Sequence, residues 1–326
     1  MRQIFIFIFN LAFALTVCGQ EKSSNIKLIK TIPLPGVHGK FDHMAVDSKN
    51  NRFYLAAKGN NSVEVVDLGK DKIVHSIKNI SAPQGILFIP EENIIVVSGG
   101  GDGTLRGFDV TDFKEKFILH LGGEADNIRF SSIRNRIYVA YGDGAIAVID
   151  AHSFKKVSEI KFKAHPEAFS LDPTNDKMWV NLPDMGLIKL INLDTEMEIA
   201  SWKTAAQPDN FPMSLVDSCH KLIIASRLKP EISILNCLTG DLLQSFKCDS
   251  DPDAMFYDEQ HERVFISCGG GSIYILNNIV EEKVKPPLIV ATRRGARTCR
   301  WIPETNSLFV ALPEIDGKMA EIRLYQ

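Results

Sequence analysis

A short apolar run that ends in a small or polar residue recurs along the whole chain. It reads Phe53-Tyr54-Leu55-Ala56, Ile95-Val96-Val97-Ser98, Ile137-Tyr138-Val139-Ala140 and Met178-Trp179-Val180-Asn181. Leu222-Ile223-Ile224-Ala225, Val264-Phe265-Ile266-Ser267 and Leu308-Phe309-Val310-Ala311 complete the series. The second residues of these runs are spaced by 42, 42, 41, 44, 42 and 44 positions. A Gly/Asn/Asp turn follows most runs, as in Lys58-Gly59-Asn60-Asn61 or Gly142-Asp143-Gly144, and these residue types accept the backbone of tight hairpins. An alternating strand ending in Asp or Asn comes next (Val63 to Asp67, Ile146 to Asp150), and then an amphipathic strand such as Ile73-Val74-His75-Ser76-Ile77. Period-2 alternation bounded by turn residues predicts strands. A period near 42 belongs to four-stranded propeller blades.

The ends of the chain predict how the ring closes. The last unit supplies only three strands, and Ile26 to Ile32 forms an orphan strand of the outer type. Pairing it with the strand holding Ile322 and Leu324 completes the seventh blade and leaves no open sheet edge. The expectation is an all-β fold: one seven-bladed β-propeller over residues 26–326, with four-stranded antiparallel blades closed by the N-terminal strand.

Ahead of this domain, Met1-Arg2-Gln3 is a short basic start, and Ile4 to Val17 is apolar except for Asn10 and Thr16. Such a segment is too short to span a bilayer and has the form of a signal peptide. Residues 1–19 are therefore expected to direct export, and residues 20–25 to form a polar tether. Leu15-Thr16-Val17-Cys18 is similar to a bacterial lipobox, which would make Cys18 a lipidated terminus; cleavage after Gly19 is the alternative. The mature protein is expected in the periplasm or anchored at the cell surface as a lipoprotein, with no membrane span.

Composition narrows the function classes. With 45% hydrophobic and 24% charged residues the chain is not disordered. A formal net charge of -3 argues against nucleic acid as a partner, because phosphate neutralisation needs a basic face. Six cysteines without a CxxC pair argue against a zinc ribbon or a disulfide scaffold. A monomer is expected, binding a small molecule or a protein.

The spacing, together with runs such as Arg136-Ile137-Tyr138-Val139-Ala140, resembles the YVTN-repeat (YncE-like) β-propellers of bacteria. The more specific part of the resemblance lies in motifs that lead into the innermost strand of each blade. These are Phe41-Asp42-His43-Met44, Ala82-Pro83-Gln84-Gly85, Ala125-Asp126-Asn127, His165-Pro166-Glu167, Asn210-Phe211-Pro212, Asp251-Pro252-Asp253 and Gly295-Ala296-Arg297-Thr298. The resemblance implies the fold and an exported location but no settled reaction.

Those lead-ins carry the candidate chemistry. They and the loops between the second and third strands lie on one face of a propeller, where function gathers on a rigid scaffold. The strand runs stay alike from blade to blade, whereas each lead-in carries a different polar group. Expected ligand residues at this axial mouth are His43, Gln84, Asp126, Asn127, Arg129, His165, Glu167, Asn210, Arg227, Asp253 and Arg297. His43, His165 and Glu167 are the candidate ligands for a divalent metal, though no short spacing supports them. Arg129, Arg227 and Arg297 could present guanidinium forks to a carboxylate or phosphate. A different reading pairs these charges with one another as blade-to-blade fasteners. Three functions stay open: a ligand-binding propeller, a lactonase-like hydrolase using Glu167 or His43 as base, and a surface interaction scaffold.

Overall fold

The computed structural model describes residues 26–172, 174–204 and 209–326. The signal segment, Cys18 and the tether lie outside the described residues. Seven four-stranded antiparallel sheets follow one another along the chain. In chain order their first strands are Met44–Asp47, Pro83–Ile89, Ala125–Ser131, Phe169–Asp172, Asn210–Val216, Pro252–Asp258 and Thr298–Ile302. Each first strand contacts the first strands of both neighbouring sheets, all the way round, so these seven surround the axis. The sheets are blades 1 to 7 of a β-propeller.

The apolar runs occupy the second strand of every blade because both faces of that strand are buried. One hydrophobic cluster fills each of the seven junctions between neighbouring blades. In blade 1, Phe53 and Leu55 pack towards blade 7, while Tyr54 between them packs towards blade 2. Trp179 serves the junction of blades 4 and 5, and its indole N–H donates to the Cys237 carbonyl at 2.8 Å. Two-sided burial explains why these runs read as continuous rather than alternating.

Leu28–Pro33 pairs antiparallel with Glu321–Tyr325 as the outer strand of blade 7, placing Ile32 opposite Ile322 and Lys30 opposite Leu324. Ile32 and Leu34 are fully buried between blades 7 and 1. No helix among the described residues is long and apolar enough to cross a membrane.

Candidate functional site

The lead-ins place their side chains through local irregularity. In blades 2, 3 and 5 the pairing of the first two strands shifts between Pro83 and Ile86, between Ala125 and Ile128, and between Asn210 and Met213. Such bulges re-aim side chains at the rim of a sheet. Here they fall on Gln84–Gly85, Asp126–Asn127 and Phe211–Pro212. In blade 1 the same segment is held by backbone bonds from the Asp42 N–H to Ala56 O (2.9 Å) and from the Ala56 N–H to His43 O (3.0 Å).

A cavity of about 570 Å3 opens at this end of the axis. His43, Gln84, Asp126, Asn127, Arg129, His165, Glu167, Arg227, Asp253 and Arg297 all line it. Asn210 begins the first strand of blade 5, but its side chain lies outside what the structure describes. The cavity also takes Asp42 from the first lead-in motif. Lys58, Glu124 and Arg300 line it too, and the motifs did not point to them as ligand groups. Lys58 comes from the loop between the second and third strands of blade 1. Arg300 was hidden because it interrupts an otherwise apolar inner strand; the available signal was its position in the repeat, which is that of Arg129.

Three sectors differ in chemistry. Between blades 1 and 3, ligand atoms of Asp42, His43 and Asp126 all lie within 4.8 Å of one another. Two carboxylates and an imidazole suit a divalent cation. Of the three metal ligands expected from sequence, only His43 belongs to this group. His165 is engaged elsewhere, its ring Nδ1 2.6 Å from the Gly142 carbonyl and its Nε2 4.0 Å from Asp126 Oδ2. Burial lowers the pKa of His43, favouring a neutral ring. Burial also raises Asp42, outweighing the lowering pull that a protonated His43 and Lys58 would exert. Lys58 stands 3.7 Å from Asp42 and donates to Gln84, whose amide donates in turn to Glu124 at 2.7 Å.

Blades 3 and 4 hold the second sector. Burial opposes the charged forms of both Asp126 and His165, but their mutual attraction outweighs it. Asp126 is held below its ordinary value, and His165 is lifted to about 9, helped by the Gly142 carbonyl. Glu167 beside them goes the other way: burial, reinforced by the Asp126 charge, lifts it to about 7.

The third sector, in blades 5 to 7, is a closed network. Arg227 pairs with Asp253 and lies 3.2 Å from Asp251, and Arg297 reaches Asp251 at 3.4 Å and Asp253 at 3.5 Å. The Arg227 guanidinium also stacks over Phe211, 3.7 Å from the ring centre. These two arginines are therefore not free forks for an anion; the fastener reading describes them better. Arg129 differs, since its contacts are the Ile128 carbonyl, the Asn127 side chain and the Phe169 ring.

No family model and no curated protein matches the chain. Solved structures do. A chain of the mitotic checkpoint complex superposes with a TM-score of 0.75 at 10% identity, covering 100% of this chain and 99% of that one. A chain of hydrazine synthase from Kuenenia stuttgartiensis superposes with a TM-score of 0.73 at 15% identity, covering 89% of this chain and 98% of that one. At such identities the likeness concerns architecture alone. What the chain shares with them is the seven-bladed β-propeller fold.

Proposed function

We propose that the protein is an exported propeller, similar to the YVTN-repeat family, that binds a small polar molecule at its axial mouth. One observation carries this reading: groups of different chemistry from separate blades line a single cavity, and burial and neighbouring charges push their protonation in opposing directions. Perturbed titration in a concave site is a mark of function. Structural ion-pair networks perturb groups too, and the Arg227–Asp253–Arg297 set is one. The remaining sectors are not closed in that way, since His43, Asp42 and Glu167 carry burial costs that mutual pairing does not remove.

Native mass spectrometry of the protein from a bacterial membrane-and-periplasm fraction tests location and ligand together. The expected chain begins at Cys18 with its acyl mass or at Gln20, and carries a small molecule. His43→Ala should abolish that adduct while melting within a few degrees of wild type, because the imidazole is desolvated without an ion pair shorter than 3.6 Å. An intact Met1, or a variant that melts far lower while ligand screens find nothing, would overturn the respective part.

The Asp42–His43–Asp126 group favours a second reading, a metal-assisted hydrolase of lactone type. Stoichiometric divalent metal in the purified protein, together with chelator-sensitive lactone cleavage, would select it over simple binding.

A further inference from the structure

We infer that the floor of the mouth is a subsite for a tetrahedral oxyanion, the phosphate or sulfate group of a small ligand, held between Arg129 and Arg300. This deepens the proposed mouth site and rests on that reading.

Strand register places the two arginines together. Arg129 lies opposite Tyr138 and Arg300 opposite Phe309, the same position of the repeat in blades 3 and 7. At that register blades 4, 5 and 6 present Ser170, Ser214 and Phe256, opposite Trp179, Ile223 and Phe265. All five residues line the cavity, and the remaining two blades contribute only aliphatic side chains at this level. One ring of the channel thus carries two guanidinium groups from well-separated blades, with two hydroxyls on the arc between them.

The charge of the ring is only partly compensated, by the Asp126 carboxylate acting on Arg129 and Glu304 acting on Arg300 without a salt bridge to either. Neither arginine forms an ion pair among the described residues, whereas Arg227 and Arg297 just above both do. Arg300 lies 5.1 Å from the Phe256 ring centre, so an aromatic face stands where a carboxylate would otherwise be needed. Burial lowers both arginines; for Arg129, burial and the Arg300 charge together outweigh the opposing Asp126 carboxylate and bring it to about 10. Two like charges held in a partly desolvated channel cost stability unless an anion enters between them. A planar carboxylate is satisfied by a single fork, whereas a tetrahedral oxyanion offers oxygens in the several directions from which these groups come.

The test is thermal melting and calorimetric titration of the mature full-length protein at constant ionic strength. Inorganic phosphate, sulfate, glycerol phosphate and acetate serve as probes. Phosphate and sulfate should raise the melting temperature saturably and acetate should not. A stronger response to glycerol phosphate than to the free ion would identify an ester as the source, and an equal response the free ion. Arg129→Gln and Arg300→Gln should each weaken phosphate binding about tenfold or more, yet melt no lower than wild type without anion. Arg300→Lys, which keeps the charge and loses the fork, should fall between wild type and Arg300→Gln. Arg294→Gln, an exposed control, should respond as wild type does. No saturable response in the wild type, or an equal response in wild type and all three channel variants, overturns the subsite. The mouth reading survives that failure if a co-purified molecule is still lost in His43→Ala.

Discussion

At the scale of single residues, the mouth separates groups that stabilise the fold from groups that cost it stability. Glu167 belongs to the second kind. Its folded pKa, about 7, lies above the ordinary 4.5, so folding favours the protonated carboxyl. The sign follows from linkage: this favourable contribution is complete below the unfolded value and is lost as pH rises through the folded one. Glu167→Gln keeps the shape of the protonated acid and removes the titration. The variant should therefore match wild type near pH 4.5 and exceed it by about 1–3 kcal/mol at pH 8 and above. Chemical denaturation of both proteins across pH 4–9 measures this, and a variant less stable at pH 8 would show that the carboxylate is a structural partner. Asp251 and Asp253 are the contrast, since each faces two guanidinium groups.

At the scale of elements, the mouth depends on how closely the lead-ins of adjacent blades approach. Ser98 joins three backbone segments: its Oγ accepts from the Gly85 N–H at 2.7 Å and donates to the Asp126 carbonyl at 2.6 Å. A Cβ on Gly85 would fall 2.3 Å from that carbonyl oxygen and 2.9 Å from Ser98 Oγ. Gly85 is thus required by close approach. Gly85→Ala should cost about 1–3 kcal/mol, the usual range for overpacking, and should displace Asp126 from His165 and His43. A variant with wild-type denaturation and an unchanged His165 titration by NMR would show that blades 2 and 3 can separate freely. Neither outcome is visible in the lead-in motif alone, where Gly85 looks like one more turn residue.

At the scale of the whole molecule, closure is the dominant device. The outer strand of blade 7 comes from the opposite end of the chain, and Ile26, Ile32 and Leu34 from that segment are buried. Deleting residues 26–34 removes three apolar side chains worth about 1.5–3 kcal/mol each and exposes the edge of Glu321–Tyr325. The expected result is a melting temperature lower by about 10 °C or more, or aggregation through the open edge. Unchanged melting of a monomeric deletion variant would mean that the ring is held by its blade junctions alone.

The sequence determined the architecture because a propeller is local and repetitive. Every blade folds from neighbouring residues, so the runs of Phe53-Tyr54-Leu55 type, their spacing of about 42 and the unmatched strand at Ile26–Ile32 state the fold in one dimension. The lead-ins also pointed to the face on which polar groups gather, because a repeat that varies its polar residues while keeping its strands marks one end of the ring. Pairing was another matter. Whether Arg227 is a free fork or neutralised by Asp253, whether His43 stands with His165 or with Asp42 and Asp126, and whether Arg300 faces core or channel all depend on contacts between blades. Residues 43 and 126 are 83 positions apart, and 129 and 300 are 171 apart. Their interaction is set by bulges, rotamers and the depth of each strand along the axis; beyond the repeat position that Arg300 shares with Arg129, these leave no signature in the residues themselves. Only the closed ring brings those charges into one low-dielectric space, where their separation decides which are paired and which remain to meet a ligand.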